Sequence, residues 1–329
     1  MTEEHDGSEL CFPQLNTSCR KPVTSLSEAV SLRFLLSCFS VLTVVLNLLV
    51  IISISHFRQL HKPTNLLLLS LSVSDFLVGL VFMPGEILRK TSCWFLGDFM
   101  CSLYKYLSIV SISASVGNMV LISVDRHVAI CDPLHYPTRV TVGRVKLCIF
   151  LCWFCSILYS SLFVKDESHQ NEKYISCHGE CVYHIDYALG VFDIFVSFIV
   201  PVTVIIVLYL RVFVVAVSQA RTMRSQIKTV KLQHSVTLTS RKSELKAART
   251  LGVLVLVFLI CFCPFYCVAL VGGNIINTSY GIFVLCLICF NSCLNPVIYA
   301  LFYPWFRRSV KLIVTLQILQ PGSCEANIL

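Results

Sequence analysis

Seven long apolar runs constrain the fold of this chain more than any other feature of its sequence. They lie near residues 32–55, 64–88, 100–124, 145–164, 188–217, 249–271 and 280–303. A helix needs about 20 apolar residues to cross a hydrocarbon core of roughly 30 Å, whereas a barrel strand needs about 10 and alternates apolar with polar residues. The runs therefore predict an all-α membrane protein, a bundle of seven transmembrane helices.

The composition argues against a separate catalytic module. Of the 329 residues, 56% are hydrophobic and only 13% are charged, which is too apolar for a soluble domain. The connections between runs are short, and they contain no nucleophile–base pair or metal-ligand cluster. We expect an N-terminal arm over residues 1–30, one transmembrane domain over 31–303 and a tail over 304–329. Lipid is then the main partner, nucleic acid is not a partner, and the chain is not an enzyme.

The basic residues predict how the chain is oriented. Most Lys and Arg residues follow the odd-numbered runs, with a cluster from Arg221 to Arg249, whereas most acidic residues lie at the opposite end. Basic residues collect on the cytoplasmic side, so we expect a plasma-membrane protein with its N-terminus outside and a glycosylation site at Asn16, in Asn16-Thr17-Ser18. Residues 305–313 alternate apolar and basic side chains at helical spacing, which predicts an amphipathic eighth helix on the inner membrane face.

Polar side chains inside the runs are costly, about 2.5–3.5 kcal/mol for a charge at mid-membrane. Six of them, on four runs, could converge at one depth: Asn47, Asp75, Ser115, Asn291, Ser292 and Asn295. The pattern resembles rhodopsin-like receptors, in which such residues form an activation-linked network that binds sodium. The resemblance implies a site for an allosteric sodium ion formed by Asp75, Ser115, Asn291, Ser292 and Asn295.

Further motifs carry the same resemblance, each on its expected run. They are Asp125-Arg126-His127, Trp153, Pro201, Tyr209, Phe262-Cys263-Pro264 and Asn295-Pro296-x-x-Tyr299. In such receptors, the arginine pairs with the preceding aspartate until it is released to a heterotrimeric G protein. The resemblance therefore gives Asp125 and Arg126 a role in coupling, with rearrangement of Tyr209, Asn295, Pro296 and Tyr299.

Residues 291–306, NSCLNPVIYALFYPWF, are similar to the fingerprint of trace amine-associated receptors, aminergic relatives that serve mostly as olfactory receptors for volatile amines. The outer cysteines are also similar to those of that family. The resemblance implies disulfides Cys101–Cys181 and Cys19–Cys177, a small amine ligand, and a stimulatory, olfactory-type G protein that raises cyclic AMP.

The sequence departs from the aminergic pattern at the ammonium site. Ser108 stands where most such receptors have an Asp, and Cys289 where they have a supporting Tyr. Asp193 lies about two helical turns before Pro201, with Ser197 on the same helix face. By resemblance this is the fifth-span position that faces the ligand, and some fish members of the family bind the amine there. We therefore expect Asp193 to bind the ammonium group, unless it is neutral or satisfied by Lys105 or the second outer loop.

Other side chains complete the expected pocket. Phe262, Phe265 and Tyr266 would give a cation aromatic faces, although helix packing explains such residues equally well, and Phe262 stands where the family usually has Trp. Glu86, if it points inward, would add a second anion suited to a diamine or polyamine. The alternative is a solvated Glu86 paired with Arg89 or Lys90.

Two functions are consistent with these residues. The first is an olfactory receptor that binds a cationic amine at Asp193. The second is a receptor of the same fold that has lost amine binding and senses another small molecule, because Ser108 and Cys289 replace the usual partners.

Overall fold

The computed structural model describes residues 10–15, 17–20, 26–171, 177–183, 186–229, 252–253, 255–267, 279–326 and 328. These residues are mainly helical. In chain order the helices are α1 (Leu26–His56), α2 (Pro63–Leu77), α3 (Met83–Thr91), α4 (Gly97–Cys131), α5 (Tyr136–Arg139), α6 (Val142–Asn171), α7 (Tyr187–Asp193), α8 (Val200–Thr229), α9 (Val255–Cys267), α10 (Ser279–Phe302) and α11 (Pro304–Val314).

Six helical segments among the described residues are long and apolar enough to cross a membrane. They are Ala29–His56, Pro63–Thr91, Gly97–Cys131, Val142–Val164, Tyr187–Val215 and Phe283–Phe302. The sixth predicted run extends beyond the described residues at both ends, and its described part, α9, is a shorter apolar helix. The predicted all-α membrane fold is confirmed. Hereafter the seven predicted runs and the helices that contain them are called the first to seventh spans.

The third span, α4, is the centre of the bundle. It contacts α2, α6 and α8, whereas α1 packs against α2, α3 and α10. The main cluster of buried apolar side chains includes Phe57, Leu71, Met119, Phe258 and Tyr299, which come from five parts of the chain. Packing of these five side chains aligns the spans, so polar residues at equal depth can meet.

Two spans change their helical pitch next to a proline. The second span passes through a π-helical turn, Val78–Phe82, just before Pro84, and the fifth passes through a similar turn, Ile194–Ile199, just before Pro201. Proline has no amide hydrogen and its ring crowds the preceding turn, so a wider turn is a common accommodation. These turns set the directions of Glu86 and Asp193 relative to the rest of their spans.

Several helices extend beyond the apolar runs that predicted them. The third span continues to Cys131 and the fifth to Thr229, and α1 begins at Leu26, inside the predicted arm. Apolar composition predicts only the part of a helix that lies in lipid, whereas the helix continues wherever its backbone hydrogen bonds do. The predicted eighth helix is present as α11, which buries Trp305 and Phe306.

Candidate ligand pocket and signalling network

Three disulfides tie the N-terminal arm and the loops over one end of the bundle, which we call the outer end. Cys101–Cys181 and Cys19–Cys177, implied by the family resemblance, both form. A third, Cys11–Cys93, joins two cysteines that sequence reasoning left unassigned. The second outer loop is thereby held across the top of the third span.

Backbone hydrogen bonds reinforce this cap. Cys19 N donates to His178 O and His178 N donates to Thr17 O, each at 2.9 Å, and Trp94 N donates to Gly179 O at 2.9 Å. Gly179 has φ +104°, and a Cβ there would lie 2.9 Å from Cys11 Cβ. Both the backbone conformation and the close approach therefore require glycine.

Glu86 lies inside the bundle in a corner that we call the second-span corner, formed by Glu86, Arg89, Tyr104 and Tyr183. Its side chain is 2% exposed. Arg89 Nε and Nη2 donate to its two oxygens at 3.0 and 2.8 Å, and Tyr104 OH donates to Oε1 at 2.6 Å. Glu86 is thus paired with Arg89, as one expectation had it, but it is buried rather than solvated.

Tyr183 of the second outer loop closes the second-span corner from above. The guanidinium of Arg89 lies 5.5 Å from its ring centroid and the ammonium of Lys105 lies 5.4 Å from it. Lys105 also donates a hydrogen bond to the Val182 carbonyl. Burial raises the pKa of the Tyr183 phenol, so this side chain is a neutral hydroxyl at physiological pH.

Asp193 lies in a second corner, the fifth-span corner, formed by Asp193, Ser197, Tyr159, Tyr266 and Phe198. Tyr159 OH donates to Asp193 Oδ1, and Ser197 Oγ lies 2.9 Å from the same hydroxyl. Because the Tyr159 proton goes to Asp193, Ser197 donates to Tyr159. Among the described residues no Lys, Arg or His forms an ion pair with Asp193.

Aromatic rings line the fifth-span corner. Tyr266 stacks on Phe198 with ring centroids 4.5 Å apart and interacts with the charge of Asp193. Phe265 meets Tyr266 edge-on at 5.2 Å, whereas Phe262 packs on Phe258 at 4.6 Å. Phe262 and Tyr266 are both buried in the main apolar cluster.

Ser108 and Cys289, the two departures from the aminergic pattern, lie beside the second-span corner. Both are buried, at 1% and 0% exposed. The charge of Glu86 acts on Cys289, and Tyr183 lies beside Ser108. Ser108 Oγ nevertheless has no partner in hydrogen-bond geometry within the described part of the chain.

A polar cluster at mid-depth gathers around Asp75. Ser115 Oγ and Ser292 Oγ donate to Oδ1 at 3.1 and 2.9 Å, and Asn295 Nδ2 donates to Oδ2 at 2.7 Å. Asn291 is also buried, but neither atom of its amide has a hydrogen-bond partner among the described residues. Four of the five residues expected at the sodium site are therefore joined, and the fifth is close in sequence but not bonded.

The opposite, inner end of the bundle contains the Asp125–Arg126 pair. Arg126 Nε donates to Asp125 Oδ2 at 3.0 Å, and Arg126 also donates to Thr64. Asp125 accepts from Thr64 Oγ1 at 3.0 Å and from Tyr136 OH at 2.8 Å. Arg126 is thus bound to Asp125 and Thr64 at the inner end of the bundle.

Tyr209 and Tyr299 lie near this pair without being bonded to it. Their hydroxyls and that of Tyr303 are buried and have no partner among the described residues. Tyr209 interacts electrostatically with Arg126, and the rings of Tyr299 and Tyr303 lie 6.2 Å apart. Pro296 lies inside α10, three residues before Tyr299. A buried hydroxyl without a partner is costly, so each of these three hydroxyls would gain free energy from a hydrogen-bond partner.

Comparison with known proteins identifies the group to which this architecture belongs. Residues 46–299 match the family model described as 7 transmembrane receptor (rhodopsin family). The chain is 38% identical to trace amine-associated receptor 13c of Danio rerio, over 99% of this chain and 98% of that receptor. It is 37% identical to trace amine-associated receptor 6 of Pan troglodytes, over 97% and 95% of the two chains, and 34% identical to receptor 4 of Rattus norvegicus, over 98% and 95%.

The chain belongs to the family of trace amine-associated receptors. It is consequently a G-protein-coupled receptor and a multi-pass membrane protein of the plasma membrane, and not an enzyme.

Several residues of this trace amine-associated receptor were missed by sequence reasoning. Tyr159 in the fourth span, Tyr104 in the third and Thr64 at the start of the second all bind a carboxylate. Each is a hydroxyl-bearing residue within or beside an apolar run. That placement is the only feature of the sequence that indicates its role. Asn16, the expected glycosylation site, lies outside the described residues.

Proposed function

We propose that this trace amine-associated receptor is an olfactory receptor that binds the ammonium group of an amine at Asp193. In this proposal the N-terminus lies outside the cell, and a stimulatory, olfactory-type G protein at the inner end raises cyclic AMP. The relatives are named for trace amines, which supports the ligand class. The distribution of basic residues supports the orientation.

The observation that carries the proposal is the state of the Asp193 carboxylate. It lies in a membrane span, it is only partly buried, and its bonds within the described residues come from a neutral hydroxyl. A carboxylate in such surroundings gains most from a cationic partner. A ligand ammonium would supply that partner, with Ser197 and Tyr159 holding the carboxylate in position.

The aromatic side chains support the same position for the cation. Tyr266 interacts with Asp193 and stacks on Phe198, and a cation over such a ring gains about 0.5–2 kcal/mol. Phe265 meets Tyr266 edge-on and would hold that ring in position against the ligand. Phe262, packed on Phe258, would lie below the ligand. Movement of Phe262 on binding would then be transmitted through Phe258 toward the inner end of the bundle.

The mid-depth cluster supports an allosteric sodium ion. Asp75, Ser115 and Ser292 offer oxygen atoms, and the unpartnered Asn291 Oδ1 offers another. Oxygen ligands suit a hard cation. Asn295, bonded to Asp75, would connect that site to Pro296 and Tyr299 in the activation network.

Asp193→Asn tests the proposal directly. In cells expressing a surface-tagged receptor, a panel of mono-, di- and polyamines is applied and cyclic AMP is measured. Losing a charged hydrogen-bonded pair costs about 2–5 kcal/mol, so the half-maximal concentration of an active amine should rise by more than about 30-fold. Equal surface staining of both receptors is the control.

The same experiment also separates the second function from the first. If the panel fails to activate the receptor, or if Asp193→Asn responds like the unmodified chain, amine binding at Asp193 is wrong. The replacement of the usual Asp and Tyr by Ser108 and Cys289 would then favour a receptor for another small molecule.

A further inference from the structure

The second-span corner is unsuited to binding a second ligand ammonium group. Both oxygens of Glu86 are occupied by Arg89, and one of them also accepts from Tyr104. The carboxylate is 2% exposed and carries its own counter-ion. A second ligand ammonium would have to displace a bidentate guanidinium from a buried site, which is unfavourable because it would leave Arg89 unpaired.

Two cationic side chains also lie near the position that most aminergic receptors use for the ammonium. Arg89 and Lys105 both lie over the ring of Tyr183, and Tyr183 lies beside Ser108. Arg89 is already paired with Glu86, so the described part of this corner offers no uncompensated anion to a ligand ammonium at Ser108. A cation there would lack a counter-ion in a site of low dielectric constant, which is costly.

Ser108 behaves differently from other serines of its helix. Ser111, Ser113 and Ser123 each donate to the carbonyl four residues earlier, all at 2.7 Å. This local bond is the usual way in which a serine inside a helix satisfies its hydroxyl. Ser108 does not make it, and its buried Oγ has no partner within the described part of the chain.

An unpartnered buried hydroxyl offers one donor and two acceptor positions. Leaving it unsatisfied costs about 1–3 kcal/mol, and a ligand group that bonds to it recovers that free energy. The neutral phenol of Tyr183 lies beside it, outside the geometry of a direct hydrogen bond, and adds a second hydroxyl. Two neutral hydroxyls suit an uncharged oxygen, such as an alcohol, a phenol or a carbonyl.

We propose that the ligand carries a single ammonium group and, at its other end, an uncharged hydrogen-bonding oxygen that binds at Ser108 while the ammonium binds at Asp193. This inference rests on the proposed amine site at Asp193 and narrows it. The ligand class is an amino alcohol or a related oxygen-bearing monoamine. A diamine is disfavoured because Glu86 is already neutralised.

Three matched probes test this inference on the full-length receptor purified in detergent: a linear aminoalkanol, the alkylamine and the α,ω-diamine, compared over a series of chain lengths. The dissociation constant is measured from the ligand-dependent rise in unfolding temperature, which requires no G protein. The unmodified receptor should bind the aminoalkanol most tightly and the diamine least tightly.

Ser108→Ala should weaken binding of the aminoalkanol by about 3- to 10-fold, the value of one hydrogen bond, and leave the alkylamine unchanged. Ser108→Asp adds an anion at the same position and should make the diamine the tightest probe. The inference is overturned if the diamine binds the unmodified receptor as tightly as the aminoalkanol, or if Ser108→Ala weakens all three probes equally.

Asp193→Asn distinguishes failure of this inference from failure of the proposed function. If Asp193→Asn abolishes binding of all three probes, the amine site stands whatever Ser108→Ala does. If it changes nothing, or if no probe binds the unmodified receptor, the amine site is wrong and the inference falls with it.

Discussion

The two acids at the outer end of the bundle, Glu86 and Asp193, have opposite surroundings. Glu86 is buried and bonded through both oxygens to Arg89, with Tyr104 as a third donor. Asp193 is partly exposed and is bonded to the neutral hydroxyl of Tyr159. A carboxylate whose cation is built into the protein contributes to the structure, whereas one without such a cation is available to a cationic ligand.

The two corners separate structural stability from ligand recognition within one fold. Each corner contains a tyrosine that donates to a carboxylate, Tyr104 in one and Tyr159 in the other. The difference lies in Arg89, which neutralises Glu86, and for which the described part of the fifth-span corner has no equivalent. Substitutions at corresponding positions should therefore affect stability at Glu86 and ligand binding at Asp193.

Glu86→Gln should give the largest change in stability. Removing one partner of a buried ion pair leaves the other charge uncompensated, which costs about 3–5 kcal/mol. We expect a lower unfolding temperature for the purified receptor and, for the fraction that remains folded, unchanged amine affinity. Glu325→Gln is the matched control, because the Arg58–Glu325 pair is exposed and exposed pairs contribute little.

A contrary result would remove the distinction between the corners. If Glu86→Gln is as stable as the unmodified receptor but no longer responds to diamines, then Glu86 is a ligand-binding acid.

Tyr104→Phe should have an intermediate effect, again on stability. The tyrosine hydroxyl donates to the charged Glu86 at 2.6 Å, and a hydrogen bond to a charged group contributes about 1.5–3 kcal/mol. Thermal unfolding should show the loss, and amine affinity should stay the same. A change of affinity without any loss of stability would mean that Tyr104 contacts the ligand.

Tyr159→Phe should have the smallest effect, and on ligand binding. The hydroxyl holds the Asp193 carboxylate and links it to Ser197, so its loss should weaken amine binding by about 3- to 10-fold. Ligand-dependent thermal shifts and cyclic AMP assays both measure this. If Tyr159→Phe lowers stability but leaves the amine affinity unchanged, the fifth-span corner is structural like its counterpart.

Much of the candidate site could be named from the sequence, but its bonding could not. Asp75, Ser115, Ser292 and Asn295 were expected to meet, because polar groups in lipid need one another, and they do. Asn291 was grouped with them, yet its amide is not bonded to Asp75 in the described structure. Residues three or four apart on one helix share a face, but side-chain direction decides which of them bond.

Glu86 shows the same limit more sharply. The sequence is consistent with either an inward-pointing Glu86 or a solvated ion pair of Glu86 with Arg89 or Lys90. The structure combines one part of each, since Glu86 points inward and is paired with Arg89. A one-dimensional pattern gives the spacing of Glu86 and Arg89, whereas the burial of the pair depends on α4 and the second outer loop, which pack over it.

The sequence by itself determined the all-α membrane fold, the apolar part of each span, the amphipathic eighth helix and the family, because apolar runs and ordered motifs are local properties of the chain. Tertiary structure alone decided that Cys11 pairs with Cys93, that Tyr159 binds Asp193, and that the Ser108 hydroxyl has no partner among the described residues. These contacts join residues far apart in the chain, and they depend on helix rotation and pitch, which the π-helical turns before Pro84 and Pro201 alter.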